Sequence, residues 1–287
     1  MAEASRVQSV RAARSPVVAP GWPPHTRPYP AVMGVLNITP DSFSDGGQFL
    51  APSDALAQAE RMIAEGADII DVGAESTRPY GRQKPVAAAD EMARLRPVLK
   101  DLVALGTPVS IDTMKADVAR FALNAGASIL NDVWGLQREP DMALVAAEYG
   151  VPVVAMHNRE AIDPAIDIMA DVTRYLERTL AIAAEAGVGR DRIALDPGVG
   201  FGKNAEQSMT VLARLGELKS FGCALLVGAS RKRFISSVVA SEPHQRLGGT
   251  LAAHLVAARN GATIIRAHDV AETVQALRVN AAIEGVR

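Results

Sequence analysis

Two aspartates, Asp112 and Asp196, each close a short apolar run directly, so each should project from a strand end into the space which that strand faces. Asn131, with Asp132 beside it, and Lys232 fall at comparable places. Two carboxylates, an amide and an ammonium together suit a heterocycle that presents both N–H donors and ring acceptors. A second set of residues carries the opposite charge. Ser230-Arg-Lys-Arg233 and Arg266-Ala-His268 follow late apolar runs, and Ser76-Thr-Arg-Pro79 contributes Thr77, Arg78 and Pro79 after an early one. Guanidinium forks match phosphoryl oxygens, so these groups suit an anionic, pyrophosphate-bearing part of a ligand. The polar stretch Asn37–Gly47, with Pro40, Gly46 and Gly47, is too elaborate for a plain connector, and loops of that kind often close over substrates. For any single residue the alternative is a turn or a helix cap. That alternative accounts easily for Asp132 and Asn158 and poorly for Asp112 and Asp196.

These groups need a frame that brings them to one place. From Tyr29 onward, apolar runs recur at Val32–Leu36, Ile69–Val72, Val109–Ile111, Ser128–Leu130, Val151–Met156, Ile193–Leu195, Ala224–Val227 and Thr263–Ile265. They are short and rich in β-branched residues, and most do not alternate with polar ones, as in parallel strands covered on both faces. Helical spacing of apolar residues fills Ser53–Glu65, Met92–Leu105, Val172–Ala186 and Thr250–Arg259 between them. Gly66, Gly106, Gly126, Gly150, Gly187, Gly222 and Gly261 each follow a helical stretch and precede a strand, where a left-handed residue ends a helix. Eight such units predict an α/β fold of the closed (β/α)8 TIM-barrel type, a single domain over 29–287 behind a disordered tail at 1–28. No Gly-x-Gly-x-x-Gly follows the first run, which removes the best support for an open dinucleotide-binding sheet. In a closed barrel the site lies where the strands end. Those ends read Asn37; Asp71 and Glu75; Asp112; Asn131; His157 and Asn158; Asp196; Ser230 to Lys232; Arg266 and His268.

Composition narrows the partners. Apolar residues make up 48% and charged ones 22%, and thirty basic against thirty-two acidic residues leave a net charge of −2. Nothing there suggests a surface for nucleic acid or an anionic membrane. Cys223 is the single cysteine, so no disulfide forms within the chain, and its place in an apolar run predicts a buried, inert thiol. No apolar run approaches the ~18 residues of a membrane span and no signal-peptide pattern opens the chain, which predicts a cytoplasmic protein. The first 28 residues carry Arg6, Arg11, Arg14 and Arg27 against Glu3, with an organelle-targeting peptide as the second option.

The chain resembles the dihydropteroate synthases. The resemblance is carried, in order, by Asn37–Gly47, Glu75–Pro79, Ser110–Thr113, Asn131-Asp132, Met156-His157, Asp196–Lys203, Ser230–Lys232 and Arg266–Val270. It implies the joining of 6-hydroxymethyl-7,8-dihydropterin pyrophosphate to p-aminobenzoate with release of pyrophosphate. It further implies that Asp112, Asn131, Asp196 and Lys232 line a pterin pocket near Met156. Arg266 would lie along the pterin face and, with His268 and Asn37, hold the pyrophosphate and a Mg²⁺ cofactor. Thr77, Arg78, Pro79, Phe201 and Ser230 would shape the p-aminobenzoate site, Asp41 and Phe43 would lie on the first loop, and the chain would form a homodimer through barrel helices. Loss of pyrophosphate leaves a cation that the pterin ring delocalises, and Asp112 and Asp196 would favour that charge. Each charge-assisted hydrogen bond is worth about 1.5–3 kcal/mol.

The chain departs from the family pattern after Met156-His157, where it reads Asn-Arg-Glu in place of a Met-Gln-Gly-like stretch. His157 itself stands between a site residue and a structural histidine, while His25, His244 and His254 read as surface or packing residues. Three other functions remain open at this point. A pterin-binding methyltransferase of the same barrel type would use Asp112, Asn131 and Asp196 but would not need Thr77-Arg78. A Schiff-base aldolase could use Lys232 between Arg231 and Arg233. A silent paralogue would bind a pterin or a partner protein without turnover.

Overall fold

The computed structural model describes residues 22, 27–38, 52–75 and 86–286. Strands β1 (Ala31–Asn37), β2 (Ile69–Gly73), β3 (Val109–Asp112), β4 (Ile129–Asp132), β5 (Val153–Met156), β6 (Ile193–Asp196), β7 (Ala224–Val227) and β8 (Ile264–Ala267) pair in chain order. β8 pairs with β1 and closes the barrel, and each neighbouring pair is parallel. The helices are α1 (Pro52–Ala64), α2 (Ala88–Leu95), α3 (Leu99–Ala104), α4 (Ala116–Asn124), α5 (Met142–Tyr149), α6 (Ile168–Glu185), α7 (Ala205–Ala213), α8 (Arg233–Val238), α9 (Leu247–Arg259) and α10 (Val270–Glu284). The expected single (β/α)8 barrel is therefore what the chain forms.

Local chemistry sets the joints. All seven glycines between helix and strand have positive φ, from 65° at Gly150 to 110° at Gly126, the conformation that a side chain disfavours. Asp167 caps α6 by accepting from the Met169 and Ala170 N–H groups, and Asn204 with Gln207 forms a capping box on α7. The helix expected over Met92–Leu105 is two helices instead. Pro97 lacks an N–H and its ring clashes with the preceding turn, so α2 stops at Leu95 and α3 starts at Leu99.

Most apolar runs stop short of the strands at their C-terminal ends, those of β5 and β7 excepted. β3, β4, β6 and β8 include Asp112, Asn131 with Asp132, Asp196 and Arg266 as paired strand residues. Pairing continues into the mouth because backbone hydrogen bonds do not depend on side-chain polarity.

Two apolar layers lie on either side of the strands. Outward residues such as Val32, Ile70, Val109, Leu130 and Ile265 pack under the helices. Inward residues Ala31, Met33, Ile69, Ile129, Val154, Ala194, Leu226 and Ile264 fill the barrel. Ile69, Leu226 and Ile264 are fully buried there, worth about 1.5–3 kcal/mol each. Within the predicted tail, Trp22 packs against this inner cluster and Arg27 pairs with Asp68 at 2.6 Å. Residues 1–21 and 23–26 lie outside the described residues.

Candidate active site

Strand periodicity decides which side chains reach the barrel mouth. Successive residues face opposite sides, so residues two apart share a face. Counting upward from the inner apolar cluster gives Met33, Val35 and Asn37 on β1, and Asp71 and Gly73 on β2. The same count gives Asn131 on β4, Met156 on β5, Asp196 on β6 and Arg266 on β8. Register adds β3: Ser110 lies between Asp71 and Ile129, and Asp112 lies between Gly73 and Asn131. Asp71, Asp112, Asn131, Met156, Asp196 and Arg266 thus converge above one apolar floor.

Arg266 spans the centre of that ring. Its Nε donates to Asp71 Oδ2 at 2.6 Å and its Nη2 donates to Asp112 Oδ2 at 2.9 Å. Asn131 Nδ2 donates to the same Asp71 oxygen at 3.0 Å. Asp71 Oδ1 and Asp112 Oδ1 are buried without a hydrogen-bond partner, so this centre retains acceptor capacity. Burial pushes the Asp112 carboxyl up to about 7, a rise that the Arg266 charge opposes and Asp71 reinforces. For Arg266, burial works against the charge and the two aspartates more than restore it.

Asp196 stands across the mouth at the start of a glycine-rich turn. Its Oδ1 accepts from the Gly198 N–H at 2.7 Å. Burial raises its carboxyl, against the Gly198 hydrogen bond and the Lys232 charge. Lys232 Nζ lies 4.0 Å from the centre of the Phe201 ring, within cation–π range. Ser230 Oγ meets His268 Nδ1 at 3.0 Å and accepts from the His268 N–H at 3.3 Å. The His268 imidazole is held down to about 3, by burial first and then by Arg266 and Arg231, so it is neutral at pH 7. Arg231, with φ of 58°, turns away to pair with Asp269 through both Nε and Nη2.

Other polar residues near the mouth have structural partners. Asp132 accepts from the Trp134 and Leu136 N–H groups at 2.8 and 2.7 Å and holds the turn after β4. Asn158 accepts from the Arg159 N–H. Glu75 accepts from the Val86 N–H at 2.9 Å, and Lys115 bridges Glu75 and the buried Glu91 at 2.5 and 2.7 Å. Arg94 Nη1 donates to the Ala74 carbonyl. His254 is fully buried beside Thr273, and Cys223 is half-buried rather than fully buried, with burial raising its thiol.

Of the residues that the sequence singled out, Asn37, Asp112, Asn131, Met156, Asp196, Phe201, Ser230, Lys232, Arg266 and His268 stand at this end of the barrel. Thr77, Arg78 and Pro79, with Asp41 and Phe43, lie outside the described residues. Two participants had no assigned role. Asp71 belongs to the rim with no partner evident in the sequence, and Lys203 ends the Asp196–Lys203 motif with no role evident from spacing. Lys203 is 1% exposed and donates to His157 Nδ1 at 2.6 Å and to the Gly198 carbonyl at 2.9 Å. Burial lowers its ammonium to about 7, with Asp196 and Asp171 opposing. The signal for Asp71 was its parity with Ile69. A cavity of about 700 Å³ beside α6 and another of about 370 Å³ between α1 and α2 do not include the Asp112–Arg266 cluster.

Known proteins are similar to this chain in sequence and in architecture. Residues 33–268 match the family described as pterin binding enzyme. The chain is 45% identical over 240 residues to the dihydropteroate synthase of Bacillus subtilis, covering 83% of each. It is also 45% identical over 255 residues to a probable bifunctional folylpolyglutamate synthase/dihydropteroate synthase of Haloferax volcanii. There it covers 87% of this chain but only 30% of that relative. The dihydropteroate synthase of Xanthomonas albilineans has been solved with 4-aminobenzoic acid (43% identity, TM-score 0.85, 90% and 94% of the two chains). It has also been solved with 7,8-dihydropteroate (42% identity, TM-score 0.82, 90% and 95%).

Proposed function

This chain belongs to the pterin-binding enzymes and, within them, to the dihydropteroate synthases, and from that premise we propose how its own residues divide the work. The reaction joins 6-hydroxymethyl-7,8-dihydropterin pyrophosphate to p-aminobenzoate and releases pyrophosphate. Asp112, Asn131 and Asp196 bind the pterin ring, with Lys232 at one edge and Met156 against its face. What supports this reading is the shared inward parity of Asp112, Asn131, Met156 and Asp196 above one apolar floor. The unpartnered Asp112 Oδ1 is an acceptor that ring N–H donors would satisfy.

Where the ring takes Asp112 Oδ2 as well as the open Oδ1, its donors replace Arg266 Nη2, and the guanidinium then lies along the pterin face while Asp71 keeps hold of Nε. As the carbon–oxygen bond to pyrophosphate breaks, positive charge spreads over the ring, and buried Asp112 and Asp196 stabilise it. His268, neutral, donates a hydrogen bond to the leaving group without adding charge. Phe201, Ser230, Thr77, Arg78 and Pro79 form the arylamine site. The arylamine nitrogen attacks the carbon and loses one proton to the departing pyrophosphate or to water, so no strong base is needed.

A metal fits this donor set as a partner of the pyrophosphate. Among the described residues no cluster of three His, Cys, Asp or Glu side chains could hold an ion alone. Asn37, at the end of β1, offers an amide oxygen of the hard, neutral kind that Mg²⁺ accepts beside water and phosphate oxygens. When bound, Mg²⁺ would neutralise charge on the departing pyrophosphate.

We further propose a homodimer in the cytoplasm. Its support is the set of exposed apolar side chains on neighbouring helices α9 and α10, including Val256, Val279 and Ile283. Among the described residues no helix is long and apolar enough to cross a membrane.

The test mixes purified protein with the pterin pyrophosphate, p-aminobenzoate and Mg²⁺, and follows pyrophosphate and dihydropteroate, omitting each component in turn. Release that needs the arylamine and matches product formation is expected. Pterin binding without release would overturn the assignment and direct a methyl-transfer assay next.

A further inference from the structure

We propose that Lys203 is a positioning residue, braced by His157, Asp171 and Arg159, that sets the Phe201 wall of the arylamine site. The inference rests on the reading above, in which Phe201 and Lys232 face p-aminobenzoate. It gives a task to the unusual Asn158-Arg159-Glu160 stretch.

An ammonium has three donors, and Lys203 spends all of them inside the protein. They go to His157 Nδ1 at 2.6 Å, the Gly198 carbonyl at 2.9 Å and the Phe201 carbonyl at 3.2 Å. The two carbonyls, three residues apart, are thereby gathered to one point. In its ammonium form Lys203 can only donate, so His157 Nδ1 accepts and the imidazole proton sits on Nε2. That proton points at Asp171 Oδ2, 3.1 Å away. The same oxygen accepts from Arg159 Nη1 at 2.7 Å. Asp171 therefore balances both the buried lysine, through the ring, and the guanidinium.

The loops after β5 and β6 touch so closely that they must move together. A Cβ on Gly198 would lie 1.9 Å from the His157 carbonyl oxygen, and one on Gly202 would lie 2.3 Å from Arg159 Cβ. Between these contacts, the Phe201 ring carries Lys232 Nζ 4.0 Å above it. Moving Lys203 would release the Phe201 carbonyl and with it the ring. Asp196 is held by its place in β6 and by the Gly198 N–H, and Lys203 reaches it only through the Gly198 carbonyl and by charge. The brace should therefore act mainly on the arylamine side, where Lys203 holds the Phe201 carbonyl directly.

The experiment is steady-state kinetics on the full chain with both substrates varied, for Lys203→Met, His157→Phe, His157→Asn and Phe201→Ala, alongside thermal denaturation. In Lys203→Met and His157→Phe, KM for p-aminobenzoate should rise about tenfold. KM for the pterin pyrophosphate should stay within about twofold in His157→Phe, which keeps the Lys203 charge near Asp196. In Lys203→Met it should rise less than that for p-aminobenzoate. His157→Asn keeps an acceptor for Lys203 and should recover most of the loss. Folded variants whose KM for p-aminobenzoate is unchanged, or whose two KM values rise together, would overturn the brace. If Lys203→Met does not fold, His157→Phe decides, because its ring keeps the edge-on contact with Tyr175. Failure of both to fold would assign the chain of bonds to stability alone and overturn the proposal. Phe201→Ala separates the two levels. If it leaves KM for p-aminobenzoate unchanged, the arylamine-site reading itself fails. If it raises that KM while the brace variants do not, the brace alone fails.

Discussion

Replacing Asp71 with asparagine removes one charge from the centre of the barrel mouth and nearly no volume. Asp71 is fully buried and contacts Arg266 Nε and Asn131 Nδ2 through a single oxygen. Burial first, opposed by Arg266 and reinforced by the Asp71 charge, holds the Asp112 carboxyl at about 7. Two carboxylates held by one guanidinium lie roughly 6 Å apart, and at an effective dielectric constant near 20 their repulsion is about 3 kcal/mol, or about two pH units. Asp71→Asn also leaves Arg266 with Asp112 as its one close carboxylate, which favours the Asp112 anion further. In the proposed site, pterin binding needs that anion as acceptor. In the wild type, affinity for a pterin analogue should therefore rise as pH rises through about 7, and in Asp71→Asn the midpoint should fall toward about pH 5. Calorimetric titration from pH 5 to 8.5 on both proteins measures this. A midpoint that stays in place, or moves up, would refute the electrostatic coupling. The same carboxyl has a stability signature of opposite sense. Its folded-state value exceeds the ordinary 3.8, so between about 4 and about 7 the folded protein keeps a proton that the unfolded chain has lost. That contribution is present below this window and is lost as pH rises through it.

Asp196→Asn should weaken pterin binding by about ten- to a hundredfold, since it removes a buried charge from the ring's acceptor set; isothermal titration reads it. Arg78→Ala should slow turnover more than it weakens pterin binding, and unchanged kinetics would remove Arg78 from the arylamine site. Asp132→Ala should cost about 2–4 kcal/mol of stability through the freed Trp134 and Leu136 N–H groups while leaving both KM values near wild type. A large change in KM without a fall in Tm would contradict that structural role. Gly198→Ala should lower both Tm and activity, because φ is 69° and the new Cβ would overlap the His157 carbonyl.

The frame was legible because it is written locally. Each return from helix to strand has its own glycine, and each strand its own apolar run, so eight repeats of one phrase sufficed. The rim was legible for a related reason: Asp112 and Asp196 interrupt such runs at their ends. Polarity does not stop a strand at the barrel mouth, and Pro97 divides a stretch whose apolar spacing is that of one helix. Long-range pairing was the illegible part. Arg266 meets Asp71 across 195 positions and Lys203 meets His157 across 46, and no local spacing announces either contact. Charge balance between distant loops is set by barrel closure, so Lys203 looked like the tail of a motif until its three acceptors were found.

Glu75 has one further consequence. Its carboxylate receives the Val86 N–H while Lys115 fixes it to the barrel wall through Glu91, so positions 75 and 86 are tied at a common base. A segment whose ends are already joined presents a nearly constant footing to the rest of the protein. Closing a loop of twice the length over the same footing costs only about 0.6 kcal/mol. Changes in chain length between positions 75 and 86 should therefore leave this footing, and the barrel stability measured by Tm, nearly unchanged.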